Sequence, residues 1–146
     1  MSKYTTYLIE SITAQVQSAG WLEAYAIDVI DDRPNHIRVE VKFGVLAKYG
    51  APKFRPIDNS APFVIVDQTM INDEITAYQY DFIDDGYDFR LAYHLHGETD
   101  GIIAPHRHLE PGDKRSSYEK IELDQALTNF FAAFLENRWG RIYSSS

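Results

Sequence analysis

Near the start of the chain, Tyr4, Leu8, Ile12 and Val16 recur at every fourth position with Tyr7 alongside, which marks one apolar stripe of an amphipathic helix. Gly20 is a natural stop for it. The period then changes. Residues 21–30, WLEAYAIDVI, are rich in strand formers, and the Asp, Pro and Asn residues of positions 31–35 suit a turn. Beyond it Ile37, Val39, Val41, Phe43 and Val45 alternate strictly with His36, Arg38, Glu40, Lys42 and Gly44. This is a half-buried strand, and with its predecessor it predicts an antiparallel hairpin.

Residues 47–62 hold three prolines and no sustained period, so they predict a loop or a crossover along the sheet edge. Short strands follow over 63–66 and 75–83, the second with Thr76, Tyr78, Tyr80 and Phe82 on one side. Asp84, Asp85 and Gly86 form a hairpin cue leading into the next strand. There Tyr87, Phe89, Leu91, Tyr93 and Leu95 alternate with Asp88, Arg90, Ala92, His94 and His96, so the aromatic and aliphatic set faces the core and Arg90, His94 and His96 face the other way. Residues 109–120 read as polar and turn-rich. A helix is predicted from about 122 to 139, its stripe made by Leu123, Leu127, Phe130, Phe131, Phe134 and Leu135. Glu122 and Asp124 near its start and Arg138 and Arg141 near its end suit the helix dipole. The closing serines, 144–146, are expected to fray.

These elements predict an α+β fold: a single twisted, mainly antiparallel sheet of about five or six strands with an N-terminal and a C-terminal helix. The 146 residues suit one domain, and 45% hydrophobic content supplies its core. No apolar run is long enough to span a bilayer, and the N-terminus lacks the basic and apolar blocks of a signal peptide, so the expected location is cytoplasmic, away from membranes. A net charge of −8 argues against a broad nucleic-acid-binding surface. A local basic site remains open around Arg90, Arg107, Lys114 and Arg115, as does a basic protein partner.

With no cysteine, thiolate nucleophiles and thiolate metal sites are excluded. Phosphate loops, nucleophile elbows and dinucleotide fingerprints are absent as well. Candidate chemistry therefore falls to histidine. Four of the five histidines lie between His94 and His108, as two His-x-His pairs. Paired strands would bring His94, His96, His106 and His108 to one patch, and three readings follow.

In the first, two imidazoles serve as acid and base, with Arg90 or Arg107 as an electrostatic clamp, to cleave RNA through its own 2′-hydroxyl without a cofactor. In the second, His94, His96, His106 and His108 bind a transition metal such as zinc, with Glu98, Asp100 or Glu110 able to replace one of them. In the third they are polar residues on a solvated strand face. His36, beside a Pro-Asn turn, reads as surface.

The order Tyr78-x-Tyr80, an acidic turn, Phe89-Arg90, His94 at a strand end, Pro105-His106-x-His108 and a leucine-rich helix resembles the TumE-like toxins of bacterial toxin–antitoxin pairs. The resemblance covers roughly residues 63–135. It implies a small growth-inhibiting protein acting on RNA, partnered by a helix-turn-helix antitoxin, and it places weight on Arg90, His106 and His108. The segment LAYHLHGETDG stands where that family carries an Asp-Asn-Ala-Pro-His-His-like run, so His94 and His96 depart from its pattern.

Overall fold

The computed structural model describes residues 2–19, 22–45, 62–84, 89–97, 103–110, 114–117 and 119–144. Over these the chain forms α1 (Lys3–Ala19), β1 (Leu22–Arg33), β2 (His36–Val45), β3 (Phe63–Ile71), β4 (Glu74–Asp84), β5 (Phe89–Gly97), β6 (Ile103–Glu110), β7 (Lys114–Ser117) and α2 (Leu123–Ser144). The strands make one sheet in the order β1-β2-β3-β4-β5-β6-β7, and every neighbouring pair is antiparallel. The fold is α+β, a meander with a helix at each end. No helix among the described residues is long and apolar enough to cross a membrane.

Alternation along the strands decides which face is covered. Ile37, Val39, Val41 and Phe43 of β2, Val64, Val66 and Met70 of β3, Tyr78, Tyr80 and Phe82 of β4, and Phe89, Leu91, Tyr93 and Leu95 of β5 join Leu8, Ile12 and Val16 of α1 in one core. From α2 come Ala126, Leu127, Phe130, Phe131 and Phe134. The phenylalanines are core: Phe82 lies 5.9 Å from Phe130 and 5.0 Å from Phe134, centroid to centroid, and Tyr93 lies 5.6 Å from Phe130. Burying a side chain of this size contributes about 1.5–3 kcal/mol.

Helix α1 is fixed at its N-terminus by capping. The Ser2 hydroxyl accepts the Thr5 N–H at 3.1 Å, and the Asp32 carboxylate accepts the Ser2 N–H at 2.9 Å and the Thr5 hydroxyl at 2.6 Å. Those bonds, Thr5 first, hold the Asp32 carboxyl below its ordinary pKa. Asp31 and Asp32 thus belong to β1 and not to a turn, and the chain reverses over Pro34 and Asn35 alone. Tyr7, expected beside the apolar stripe, is 61% exposed.

Other departures lie in polar segments and element ends. Strand β3 extends past Val66 through its backbone pairing with β4, and Gln68 within it, 1% exposed, accepts from the Tyr4 hydroxyl at 2.7 Å and donates to the Tyr80 hydroxyl at 2.9 Å. It then turns at Asn72 and Asp73, whose φ values of 52° and 64° are the left-handed conformation that Asn and Asp tolerate in tight hairpins. The segment read as wholly turn-rich contains β7, one strand beyond the expected count. Its sequence, Lys-Arg-Ser-Ser, has no apolar alternation, so only the pairing with β6 reveals it. Helix α2 starts at Leu123 and runs on to Ser144, into the tail expected to fray. Gly20, the loop expected over 47–62 apart from Pro62, residues 85–88 and the side chains of Leu135, Arg138 and Arg141 lie outside the described residues.

Candidate functional site

On the helix-free face, the registers of β4, β5 and β6 place Asp81 opposite Ala92 and Ala92 opposite His108. The middle position carries only a methyl group and is fully buried between the carboxyl and the imidazole. Arg90 and His94 flank Ala92 at the two-residue spacing that keeps all three on one face. Both reach Asp81 diagonally: His94 Nε2 lies 2.8 Å from Asp81 Oδ1, and Arg90 Nη2 lies 3.2 Å from the same oxygen. Gln79 Nε2 donates to Asp81 Oδ2. The His94 and His108 rings approach to 4.9 Å between centroids, with planes inclined at 53°.

Asp81 is 2% exposed and His94 7%, whereas Arg90 and His108 are half-buried. A carboxylate this deep is tolerable only with its oxygens hydrogen-bonded. Burial by itself raises the Asp81 pKa, but hydrogen bonds from His94 and Gln79 and the charges of His94 and Arg90 outweigh it, so the group is held below the ordinary carboxylate value. An ionised carboxylate only accepts. The proton between the pair therefore sits on His94 Nε2. The arrangement can orient an imidazole, hold its tautomer and set a second imidazole beside it.

Of the sequence candidates, Arg90, His94 and His108 converge here. His106 pairs with His94 and His96 with Ala104, which puts both positions on the same face by alternation; their side chains lie outside the described residues. Arg107 does not join them. It stands opposite Tyr93, whose ring packs on Phe130, so it belongs to the helix-covered face. Among the described residues no three metal-ligating side chains are grouped to hold an ion. Glu98 and Asp100 are not among those residues, nor are the side chains of Glu110, Lys114 and Arg115.

Sequence reasoning missed Asp81. Its signal was present, since in ITAYQYDFI it alternates out of phase with Tyr78, Tyr80 and Phe82 and is the one charged residue of that segment. Only strand pairing shows that it meets His94.

His36, read as surface, is the centre of a second polar cluster near the β1–β2 turn. Its Nδ1 lies 2.6 Å from Asp31 Oδ2, and its Nε2 lies 3.0 Å from both Asp67 oxygens. Arg33 pairs with Asp31 at 2.6 Å and Arg38 with Asp67 at 2.9 Å. The bond to Asp31 raises the His36 pKa first of all; partial burial opposes this, and Asp67 adds to the rise. The bonds from Arg33 and His36 lower Asp31 to about 2.

No family model matches the chain, and no curated protein or solved structure is similar enough to match it either.

Proposed function

We propose that Asp81, His94, His108 and Arg90 form a proton-transfer site, and that the chain is a TumE-like toxin that cleaves RNA in the cytoplasm by means of the RNA's own 2′-hydroxyl. The observation that carries the reading is one imidazole, His94, pinned by a buried carboxylate beside a second, His108. His94, its ring held through Nε2 by Asp81, acts as the base that takes the 2′-hydroxyl proton. The 2′-oxygen bonds to phosphorus, the bond to the 5′-oxygen breaks, and His108 protonates that oxygen as it leaves. The product ends in a 2′,3′-cyclic phosphate. Arg90 supplies positive charge against the developing phosphorane.

The order of motifs from Tyr78 to α2 supports the family, and with it a helix-turn-helix antitoxin as partner. A net charge of −8 suits a basic partner and restricts RNA to a short contact at this site. The test is cleavage of a single-stranded RNA oligonucleotide by the purified chain in EDTA, run beside growth arrest on expression. His94→Ala and His108→Ala are each expected to slow cleavage by about 10²–10⁴ while retaining the wild-type circular dichroism spectrum. Undiminished cleavage by the double variant sinks the reading. Activity that requires added zinc assigns the histidines to metal ligation instead.

A further inference from the structure

On the helix-covered side, away from the Asp81 cluster, a cavity of about 540 Å³ opens between α1, the β3–β4 hairpin and the residues leading into α2. Its walls are aromatic. Tyr4 and Tyr7 stack with centroids 6.5 Å apart, and Tyr78 and Tyr80 stack at 4.5 Å with planes only 5° apart. Tyr7 stands at the open side, being 61% exposed.

Among the described residues, two of these phenols carry a donor that nothing accepts. Tyr78, 4% exposed, accepts the Ile121 N–H at 3.0 Å, and Tyr80, 1% exposed, accepts from Gln68 Nε2 at 2.9 Å. Among the described residues neither hydroxyl proton has an acceptor. By contrast Tyr4 spends its proton on Gln68 Oε1. Unspent donors on buried groups cost stability, and both of these line the cavity.

Charge at the rim is one-sided. Among the described residues, Asp73, Glu74, Glu122 and Asp124 stand against a single ammonium, that of Lys120. The α2 dipole accounts for acids at its N-terminal turn, but Asp73 and Glu74 lie at a hairpin tip with no such compensation. The Glu122 charge reaches the phenols: after burial, it is among the causes that raise the pKa values of Tyr4, Tyr78 and Tyr80.

The geometry points to a binding site for a small organic cation, an alkylammonium or guanidinium group carried with an oxygen acceptor. Tyrosine faces attract the cation, the carboxylates pair with it, and the two phenol protons take the oxygen. The group can arrive on a free amine or on a basic side chain of a polypeptide.

Calorimetric titration of the full chain tests this. The probes are L-argininamide, agmatine, which lacks the amide oxygen, and a capped Gly-Arg-Gly peptide, with sodium glutamate and sodium chloride at matched ionic strength as controls. L-argininamide is expected to bind with a submillimolar dissociation constant and agmatine more weakly. Glu74→Gln with Glu122→Gln is expected to weaken binding about tenfold and Tyr7→Ala about fivefold. These exposed positions leave the core intact. Tyr78→Phe is expected to abolish the preference for L-argininamide over agmatine. A capped peptide that binds as well as L-argininamide identifies the source as a polypeptide side chain, and binding of the free compounds alone identifies it as a small molecule; both outcomes uphold the site. The inference is overturned if no probe gives saturable heat, if the controls bind equally, or if the rim and Tyr7 variants bind as the wild type does.

Discussion

His94 and Asp81 are not opposite each other in the register of β4 and β5, yet His94 Nε2 lies 2.8 Å from Asp81 Oδ1, on a diagonal past Ala92. The pair joins two central strands on the face that the helices leave open. A neighbour-to-neighbour pairing would have set His94 against Gln79. Gln79 instead donates to the second Asp81 oxygen, so the carboxylate gathers three side chains from two strands.

Asp81→Asn removes the charge that His94 and Arg90 share. Truncating one member of a buried charge pair costs about 3–5 kcal/mol, which urea denaturation at neutral pH measures. The folded pKa of Asp81 is lowered, so its stabilisation is complete above the ordinary aspartate value and is lost as pH falls through the folded value. The variant is therefore expected to lose less stability than the wild type on acidification. An equal acid slope in the two proteins contradicts this assignment.

At His36 the sign is opposite. Its folded pKa is raised, so the clamp on Asp31 and Asp67 stabilises fully below the ordinary histidine value and is lost as pH rises through the folded value. His36→Gln is expected to flatten the stability curve on that alkaline limb and leave the Arg33–Asp31 and Arg38–Asp67 ion pairs in place. A nuclear magnetic resonance titration of the His36 ring with a midpoint at or below the ordinary value rules the clamp out.

Ala92→Val places two extra methyl groups at the fully buried position between Asp81 and His108. Overpacking of this kind costs about 1–3 kcal/mol. The added bulk stands beside the diagonal that joins His94 to Asp81, so the Nε2–H tautomer of His94 is expected to be lost, as read from its ring nitrogen shifts. Unchanged shifts show that the ring takes another path.

Phe130→Ala opens a void between α2 and the sheet, where Phe130 is fully buried against Phe82 and Tyr93. A loss of about 3–5 kcal/mol is expected in chemical denaturation. The histidine cluster lies on the other face, so ring shifts of His94 and His108 are expected to stay put in the folded variant. A cost below about 1 kcal/mol contradicts the core assignment.

Periodicity made much of the fold legible. The stripe of α1, the strict alternation of β2, the inward Tyr78, Tyr80 and Phe82 and the phenylalanines of α2 all sit where hydrophobic spacing predicts, because burial acts on each side chain whatever its partner. Polar segments were harder. β7 and the far half of β3 carry no apolar alternation of their own, and the backbone pairing that makes them strands depends on the neighbouring strand.

The sequence by itself determined the α+β class, the core faces and the placing of Arg90, His94 and His108 away from that core. Tertiary structure alone decided the partners. Asp81 and Ala92, Asp32 and Thr5, and His36 between Asp31 and Asp67 are joined by strand register and helix docking. A hydrogen bond needs two groups within about 3 Å, and spacing along one strand does not determine which residue of the next strand stands that close.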